Sequence, residues 1–347
     1  MIPDDLSETQ QKAIRSLAAD YVTTPFSLEQ IGGGRNSRIY RLAGTTGVAY
    51  AIKIYFRQEG DPRDRLGTEF KSLKFLWDNG LRNIPQPIQI CREAEIALYE
   101  FVEGDKISPA SIGESEIDAA IDFALSLQNL RVYPEARKLN PASEAFFSVE
   151  AIYQNIQQRL TRLIEGQKEQ GREPALEQFL EQDLLPSMKQ IAQQSQALTD
   201  WKAELPEEHR ILSPSDFGFH NAIRRDRLVF VDFEYFGWDD PAKLISDFML
   251  HPAMQLSDAL ARRFAEAVIG HLTRHFDMPL RTRVKAVYPL FGLKWCLICL
   301  NEFLPEHRMR RQFAAGSVRN WEHIRAEQLS KAKQILSRIN CNEQFSY

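Results

Sequence analysis

Three oxygen-bearing side chains stand close together past the middle of the chain. Asp216 and Asn221 fall in Ser213-Pro-Ser-Asp-Phe-Gly-Phe-His-Asn221, and Asp232 falls in Val231-Asp-Phe-Glu234. Phosphoryl transfer uses this equipment: one carboxylate orients a hydroxyl and takes its proton, while an amide oxygen and a second carboxylate hold Mg²⁺ against phosphate oxygens. Taken singly, each also fits a plain role, Asp216 as a turn former, Asn221 as a loop cap and Asp232 as a strand-end carboxylate.

Two residues upstream favour the chemical reading. Alternation in Val48–Phe56 puts Ala51, Lys53 and Tyr55 on one face and Ile52, Ile54 and Phe56 on the other. An ammonium on a half-buried sheet face needs a partner, or its stem must snorkel to the edge. Glu69 lies three residues after Leu66 and four before Leu73, so it shares the inward face of the next helix and needs a partner too. The pair would satisfy each other and aim Lys53 at a cleft, where an ammonium can contact phosphates. The turn Gly32-Gly-Gly-Arg-Asn-Ser37 offers N–H groups that an anion can approach without Cβ obstruction. Alone, such a turn is more often only a turn.

The elements that must hold these groups follow from periodicity. Residues 7–22 read as a helix, and Phe26–Ile31, Arg38–Leu42 and Val48–Phe56 read as an antiparallel meander. A helix is predicted from Pro62 to Asn79, capped by Asp61, with Leu66, Phe70, Leu73 and Trp77 as its core stripe. Pro87–Cys91 and Ile96–Phe101 read as further strands. From Ile112 onward the pattern is helical except around 209–237, where Ala222–Arg225 and Leu228–Phe233 form a hairpin joined at Asp226. Loops on such rigid supports commonly carry function. The Gln- and Glu-rich stretch 152–199 predicts long solvated helices.

Composition sets outer bounds. The 347 residues are 44% hydrophobic and 26% charged, enough for a sizeable core. With 43 basic and 47 acidic residues the formal charge is −4, so no global field favours nucleic acid or an anionic membrane. Met1–Gln10 lacks an apolar h-region, and no stretch reads as long enough without charge to span a bilayer, so a cytoplasmic location is expected. Cys296 and Cys299 form a CxxC inside the apolar run 293–300 with no second pair, which predicts buried helix thiols and not a zinc site.

These motifs resemble the aminoglycoside phosphotransferase and choline kinase family, relatives of the protein kinases. The family pattern His-Gly-Asp-x-x-x-x-Asn corresponds to Pro214-Ser215-Asp216 through Asn221, and its Asp-aromatic-Glu element to Asp232-Phe233-Glu234. The resemblance implies that Asp216 is the catalytic base and that Asn221 and Asp232 bind magnesium. It makes Gly33, Gly34, Asn36 and Ser37 a short phosphate loop, and Lys53 with Glu69 the strand lysine and its helix partner. Ala97–Gly104 becomes the hinge, with the backbone from Glu100 to Val102 on the adenine edge. The likeness runs over about residues 26–305 by order of elements.

The implied architecture is an α+β, protein kinase-like, two-lobed fold, with a nucleotide-binding lobe at 1–103 and a helical lobe at 104–347 carrying the catalytic loop and acceptor pocket. The implied function is transfer of the γ-phosphoryl group of ATP (or GTP), with Mg²⁺, to a hydroxyl of a sugar, amino alcohol or aminoglycoside. Lys294-Trp295 to Glu302 resembles the aromatic-bearing helix beside the acceptor site, and reads more readily as a core helix with an ordinary Trp. The acidic residues are too dispersed to show a pocket for a polycation. Two departures stand out: Pro214-Ser215 replaces His-Gly, and Leu244 stands where the family has an Asp after Asp240-Pro241, with Asp247 one turn later. They leave a second reading, a catalytically inactive kinase-like nucleotide-binding protein. Protein phosphorylation fits least, since no activation segment follows Asp232.

Overall fold

The computed structural model describes residues 2–33, 37–57, 63–170, 173–276, 279–304 and 320–341. Five strands, β1 (Ser27–Gly33), β2 (Ser37–Ala43), β3 (Ala49–Tyr55), β4 (Pro87–Cys91) and β5 (Ile96–Glu100), form one antiparallel sheet in the order β1-β2-β3-β5-β4. Alternation along β3 sorts its side chains as predicted. Ile52 and Ile54 join a core with Leu42, Ile96 and Leu98 beneath helix α1 (Glu8–Tyr21), while Tyr55 faces the opposite side with Leu66, Leu73 and Tyr99. Ser7 starts α1 through a capping box with Gln10, satisfying two backbone N–H groups that the helix leaves open.

Helix α2 (Arg65–Asp78) crosses that second face and begins three residues later than the sequence predicts. Asp64, not Asp61, is the N-cap: its Oδ1 accepts the Gly67 amide at 2.8 Å, and Arg92 fixes the carboxylate from 3.1 Å. Two aspartates three apart both suit a cap by residue type. A partner from the end of β4 supports Asp64; Asp61 and Pro62 lie outside the described residues.

After β5 the chain forms β6 (Asp105–Lys106), which pairs with the predicted hairpin, β8 (Ala222–Arg224) and β9 (Leu228–Phe230). A second small ribbon joins β7 (Ile211–Ser213) to β10 (Gly237–Asp239). The rest is helical: α3 (Glu114–Asn129), α4 (Val149–Gln170), α5 (Pro174–Phe179), α6 (Leu185–Leu198), α7 (Pro241–Leu250), α8 (Asp258–Phe276), α9 (Leu280–Cys299) and α10 (Trp321–Asn340). A π-helical turn at Leu180–Leu184 links α5 to α6. Pro186 stands just beyond it, lacking the N–H that an α-helical ladder would need there.

Helix α9 packs against α4, α6, α7 and α10, which accounts for its composition. One expectation needs correction here: Leu280–Phe303 is long and apolar enough to cross a bilayer, with mean hydropathy 1.2. That apolar surface is used internally, since 78% of the window is buried within the chain. Cys296 and Cys299 are free, buried thiols in this helix, as predicted. The helices over 152–199 are less solvated than their composition suggests, because Ile152, Ile156, Leu160 and Leu163 form a buried stripe along α4.

Candidate active site

The site rests on packed aromatic rings. Phe123 of α3 stacks on Phe230 with centroids 4.4 Å apart and contacts Phe217 at 5.7 Å and Phe233 at 6.2 Å. Phe217 reaches Phe248 of α7 at 5.4 Å, which stacks on Phe264 at 3.7 Å. Phe217 follows Asp216 and Phe233 follows Asp232, so this floor anchors the two carboxylates through their neighbours. Such ring pairs stabilise beyond the area they bury and leave little room for the backbone to shift.

Above the floor, Lys53 Nζ donates to Glu69 Oε2 and to Asp232 Oδ1, both at 2.6 Å. Glu69 is 3% exposed and fully engaged, since it also accepts from Tyr55 Oη at 2.7 Å and from the Phe233 amide at 3.2 Å. Glu234 lies 3.8 Å from both Lys53 and Arg65. Burial alone would depress the Lys53 ammonium, but the charges of Asp232, Glu69 and Glu234 overcome it and hold the group well above its ordinary value. The lysine is therefore a permanent cation, and the Asp232 side chain remains about a third exposed to the cleft. Asp232 adopts φ 68°, a left-handed conformation a non-glycine residue takes only under constraint.

Asp216 lies across the cleft in the loop between β7 and β8. Its Oδ1 is 3.1 Å from His220 Nε2 and 3.6 Å from His251 Nε2, and the two imidazoles lie parallel with centroids 3.9 Å apart. Burial would raise this carboxyl, but the His220 hydrogen bond, with the charges of His220, His251 and Lys243, holds it far below the usual range. Asn221 donates Nδ2 to the Asp216 carbonyl at 3.0 Å, which commits its amide nitrogen and leaves its oxygen for the cleft. The donor set of Asn221 and Asp232, hard oxygens lining one cleft, suits Mg²⁺.

A buried network holds the loop at Pro214-Ser215, ahead of Asp216. Ser215 has φ 68° and donates its hydroxyl to the Ser143 carbonyl at 3.0 Å. Lys243, 1% exposed on α7, donates to Ser215 Oγ at 2.9 Å and to Asp239 Oδ2 at 2.7 Å, with Asp247 Oδ2 at 3.4 Å. The two carboxylates raise the Lys243 ammonium against the effect of burial. Asp240 caps α7 through the Ala242 amide at 2.8 Å and is gripped by Arg283 at 2.7 Å. Leu244 is buried in the core, whereas Asp247 faces the cleft and accepts from Trp295 Nε1 at 2.8 Å.

The cleft has a volume of about 790 Å³, and Ser37, Lys243, Asp216, Asn221, Asp232 and Trp295 are among its lining. The structure thus brings together five sequence-predicted residues: Lys53, Glu69, Asp216, Asn221 and Asp232. Ser37 is buried at the start of β2, and Gly33 ends β1; Gly34 and Asn36 lie outside the described residues. The Glu100 amide is consumed by the Gln86 carbonyl at 2.8 Å and is not open to a ligand. Val102 is buried just past the strand, and among the described residues it enters no backbone hydrogen bond. Sequence reasoning missed His220, His251, Lys243 and the aromatic floor. The charged pair Lys243 and Asp247 on the otherwise apolar α7, with Asp239 four residues before Lys243, was the available signal.

Comparison with known proteins agrees with this geometry. Residues 27–283 match the profile described as the phosphotransferase enzyme family. No curated protein sequence gives a significant match. Among solved structures, a spectinomycin phosphotransferase in complex with ADP and spectinomycin superposes with TM-score 0.64 at 13% identity, covering 96% of this chain and 98% of that one. A choline/ethanolamine kinase family protein from Mesorhizobium loti gives TM-score 0.58 at 15% identity over 96% and 98%. A choline kinase from Streptococcus pneumoniae gives 0.57 at 16% over 96% and 100%. At these identities the likeness speaks for the fold, which is protein kinase-like. With the family profile covering most of its length, the chain belongs to the phosphotransferase enzyme family.

Proposed function

We propose that the chain transfers the γ-phosphoryl group of ATP, or GTP, to a hydroxyl of a small molecule. The observation that carries this is Lys53 bridging Glu69 and Asp232 at 2.6 Å each, with Asp216 and Asn221 in the cleft that Asp232 lines. Residues 1–103 serve as the nucleotide lobe and residues 104–347 as the helical lobe with the acceptor pocket. Solved neighbours crystallised with ADP or GDP support the nucleotide part of the reading.

Asn221 and Asp232 would hold Mg²⁺, which neutralises phosphate charge when bound. Lys53, kept charged and held by Glu69, turns from Asp232 toward the phosphates. Asp216 accepts a hydrogen bond from the acceptor hydroxyl and aligns its oxygen with the γ-phosphorus. As that oxygen bonds to phosphorus, the bond to the β–γ bridging oxygen breaks and its electron pair leaves with the diphosphate. The hydroxyl proton passes to Asp216. Because the His220 and His251 contacts stabilise the Asp216 anion, its first task is orientation, and proton transfer comes late.

The Ser215–Lys243 network keeps the catalytic loop braced without His-Gly, which favours an active enzyme over the inactive alternative. The test is Mg²⁺-dependent release of the diphosphate across sugars, amino alcohols, aminoglycosides, hydroxy acids and sugar phosphates. Acceptor-dependent turnover should fall about 10²–10⁴-fold in Asp216→Ala and also collapse in Asp232→Ala. Nucleotide binding without transfer to any acceptor would favour the inactive reading.

A further inference from the structure

Beyond Asp216 the cleft continues between α4, α7, α9 and α10, and cations outnumber carboxylates on this wall. Five cationic side chains line it: Arg159, Arg162, Lys243, Lys294 and Lys331. Its carboxylates are already engaged. Arg159 Nη2 takes both Glu144 oxygens, at 2.6 and 2.5 Å. Asp247 gives Oδ1 to Trp295 at 2.8 Å, and its Oδ2 is shared by Lys243 at 3.4 Å and Lys294 at 3.6 Å. Glu327 Oε1 accepts from Lys331 at 2.7 Å.

Lys243 spends its donors on Ser215, Asp239 and Asp247, whereas Arg159, Lys294 and Lys331 keep spare ones. A guanidinium has five N–H bonds and an ammonium three. Arg159 uses Nε on Asn155 and Nη2 on Glu144, leaving Nη1 without a contact among the described residues. Lys294 is 3% exposed, and its nearest described anion is the shared Asp247 oxygen. A buried ammonium whose anion is shared is under-compensated and gains from a further negative group. Burial depresses the Lys294 ammonium; Asp247 opposes this, but Lys243 beside it adds to the depression. A polycationic acceptor would meet carboxylates already paired with cations, and like charge beyond them.

We infer that the acceptor hydroxyl belongs to an anionic small molecule, whose carboxylate or phosphate ester is held by Lys294 and Arg159, with Lys331 at the rim. This rests on the phosphotransferase reading above and narrows its acceptor class. Guanidinium and ammonium groups both pair strongly with either anion, so the chemistry on the wall is shared by hydroxy acids and sugar phosphates.

The test is calorimetric titration of the full chain, with and without Mg²⁺ and a non-hydrolysable ATP analogue, using matched probes: glycerate, glycerol 3-phosphate, glycerol and choline. At least one anionic probe should bind 10-fold or more tighter than glycerol and choline, and the tighter of the two identifies carboxylate or phosphate. Lys294→Met should weaken that probe 10-fold or more while leaving analogue affinity unchanged. Lys331→Ala, a partly exposed change that does not threaten folding, should weaken it about threefold, and added salt should weaken it further. Equal or tighter binding of choline, no anionic binding below 10 mM, or a Lys294→Met defect in analogue affinity would overturn the inference. Failure of the analogue itself to bind would instead strike the phosphotransferase reading, and the probes titrated without it still decide the anion site.

Discussion

Two buried lysines organise this protein, and they do so differently. Lys53 draws its partners from distant parts of the chain, Glu69 on α2 and Asp232 past β9. Lys243 draws its carboxylates from four residues to either side, Asp239 at the end of β10 and Asp247 on α7, and adds Ser215 from the loop after β7. Asp239 is wholly buried, whereas the Asp232 side chain opens to the cleft. A carboxylate that can exchange one cation for another suits a metal and phosphate site. One sealed from water suits a brace. The comparison teaches that the exposure of one acidic partner, Asp232, more than the burial of the lysine, separates the two clusters.

The sharpest way to break this distinction is Lys243→Met. Removing the cation strands the buried Asp239 carboxylate, and the loss should be about 3–5 kcal/mol of stability by denaturant titration. Loss of activity with an unchanged midpoint would instead assign Lys243 to the chemistry. Lys53→Met should give the reverse pattern, a fall in kcat/KM of about 10²–10³-fold with a much smaller stability change. Glu69 keeps Tyr55 and the Phe233 amide as donors, and Asp232 can turn to water.

Ser215→Ala probes the link between the brace and the loop. It removes the hydrogen bonds to Ser143 and Lys243 and should cost about 1 kcal/mol, with a modest fall in kcat. Restoration by Ser215→Thr, but not by Ser215→Gly, would show that the hydroxyl matters and not relief of the positive φ.

How much of this was legible in the chain depends on the range of the interaction. Lys53 and Glu69 could be paired because strand and helix periods each fix a face, and both faces turned out to be the same interior one. Asp216, Asn221 and Asp232 could be assigned because their spacing falls in one short loop and hairpin. The β1-β2-β3 meander followed from two turns and alternation, whereas the insertion of β5 between β3 and β4 did not. By contrast, His220 and His251 meet at 3.9 Å although they are 31 positions apart, with nothing local to announce it. The Asp239–Lys243–Asp247 series looks in sequence like solvated i,i+4 pairs, and only the packing of β10 and α7 buries it. The start of α2 was misplaced because Asp61 and Asp64 are equal by propensity, and Arg92 decided between them.

The smallest expected effect concerns pH. The Asp216 carboxyl is held below its ordinary value in the folded chain, so its stabilising contribution is present above the unfolded value of about 4. That contribution is lost as pH falls through the folded value. Asp216→Asn should therefore melt below the wild type at neutral pH, and the gap in Tm should close as the pH drops below about 4. A gap that persists at low pH would mean that the histidine contacts do not stabilise the anion.

The most direct test of the exchangeable carboxylate is nucleotide affinity measured with and without Mg²⁺, in the wild type and in Asp232→Asn. Mg²⁺ should tighten nucleotide binding 10-fold or more in the wild type and leave Asp232→Asn nearly unchanged. Equal affinity with and without Mg²⁺ in the wild type would contradict the assignment of Asn221 and Asp232 as the metal-holding pair.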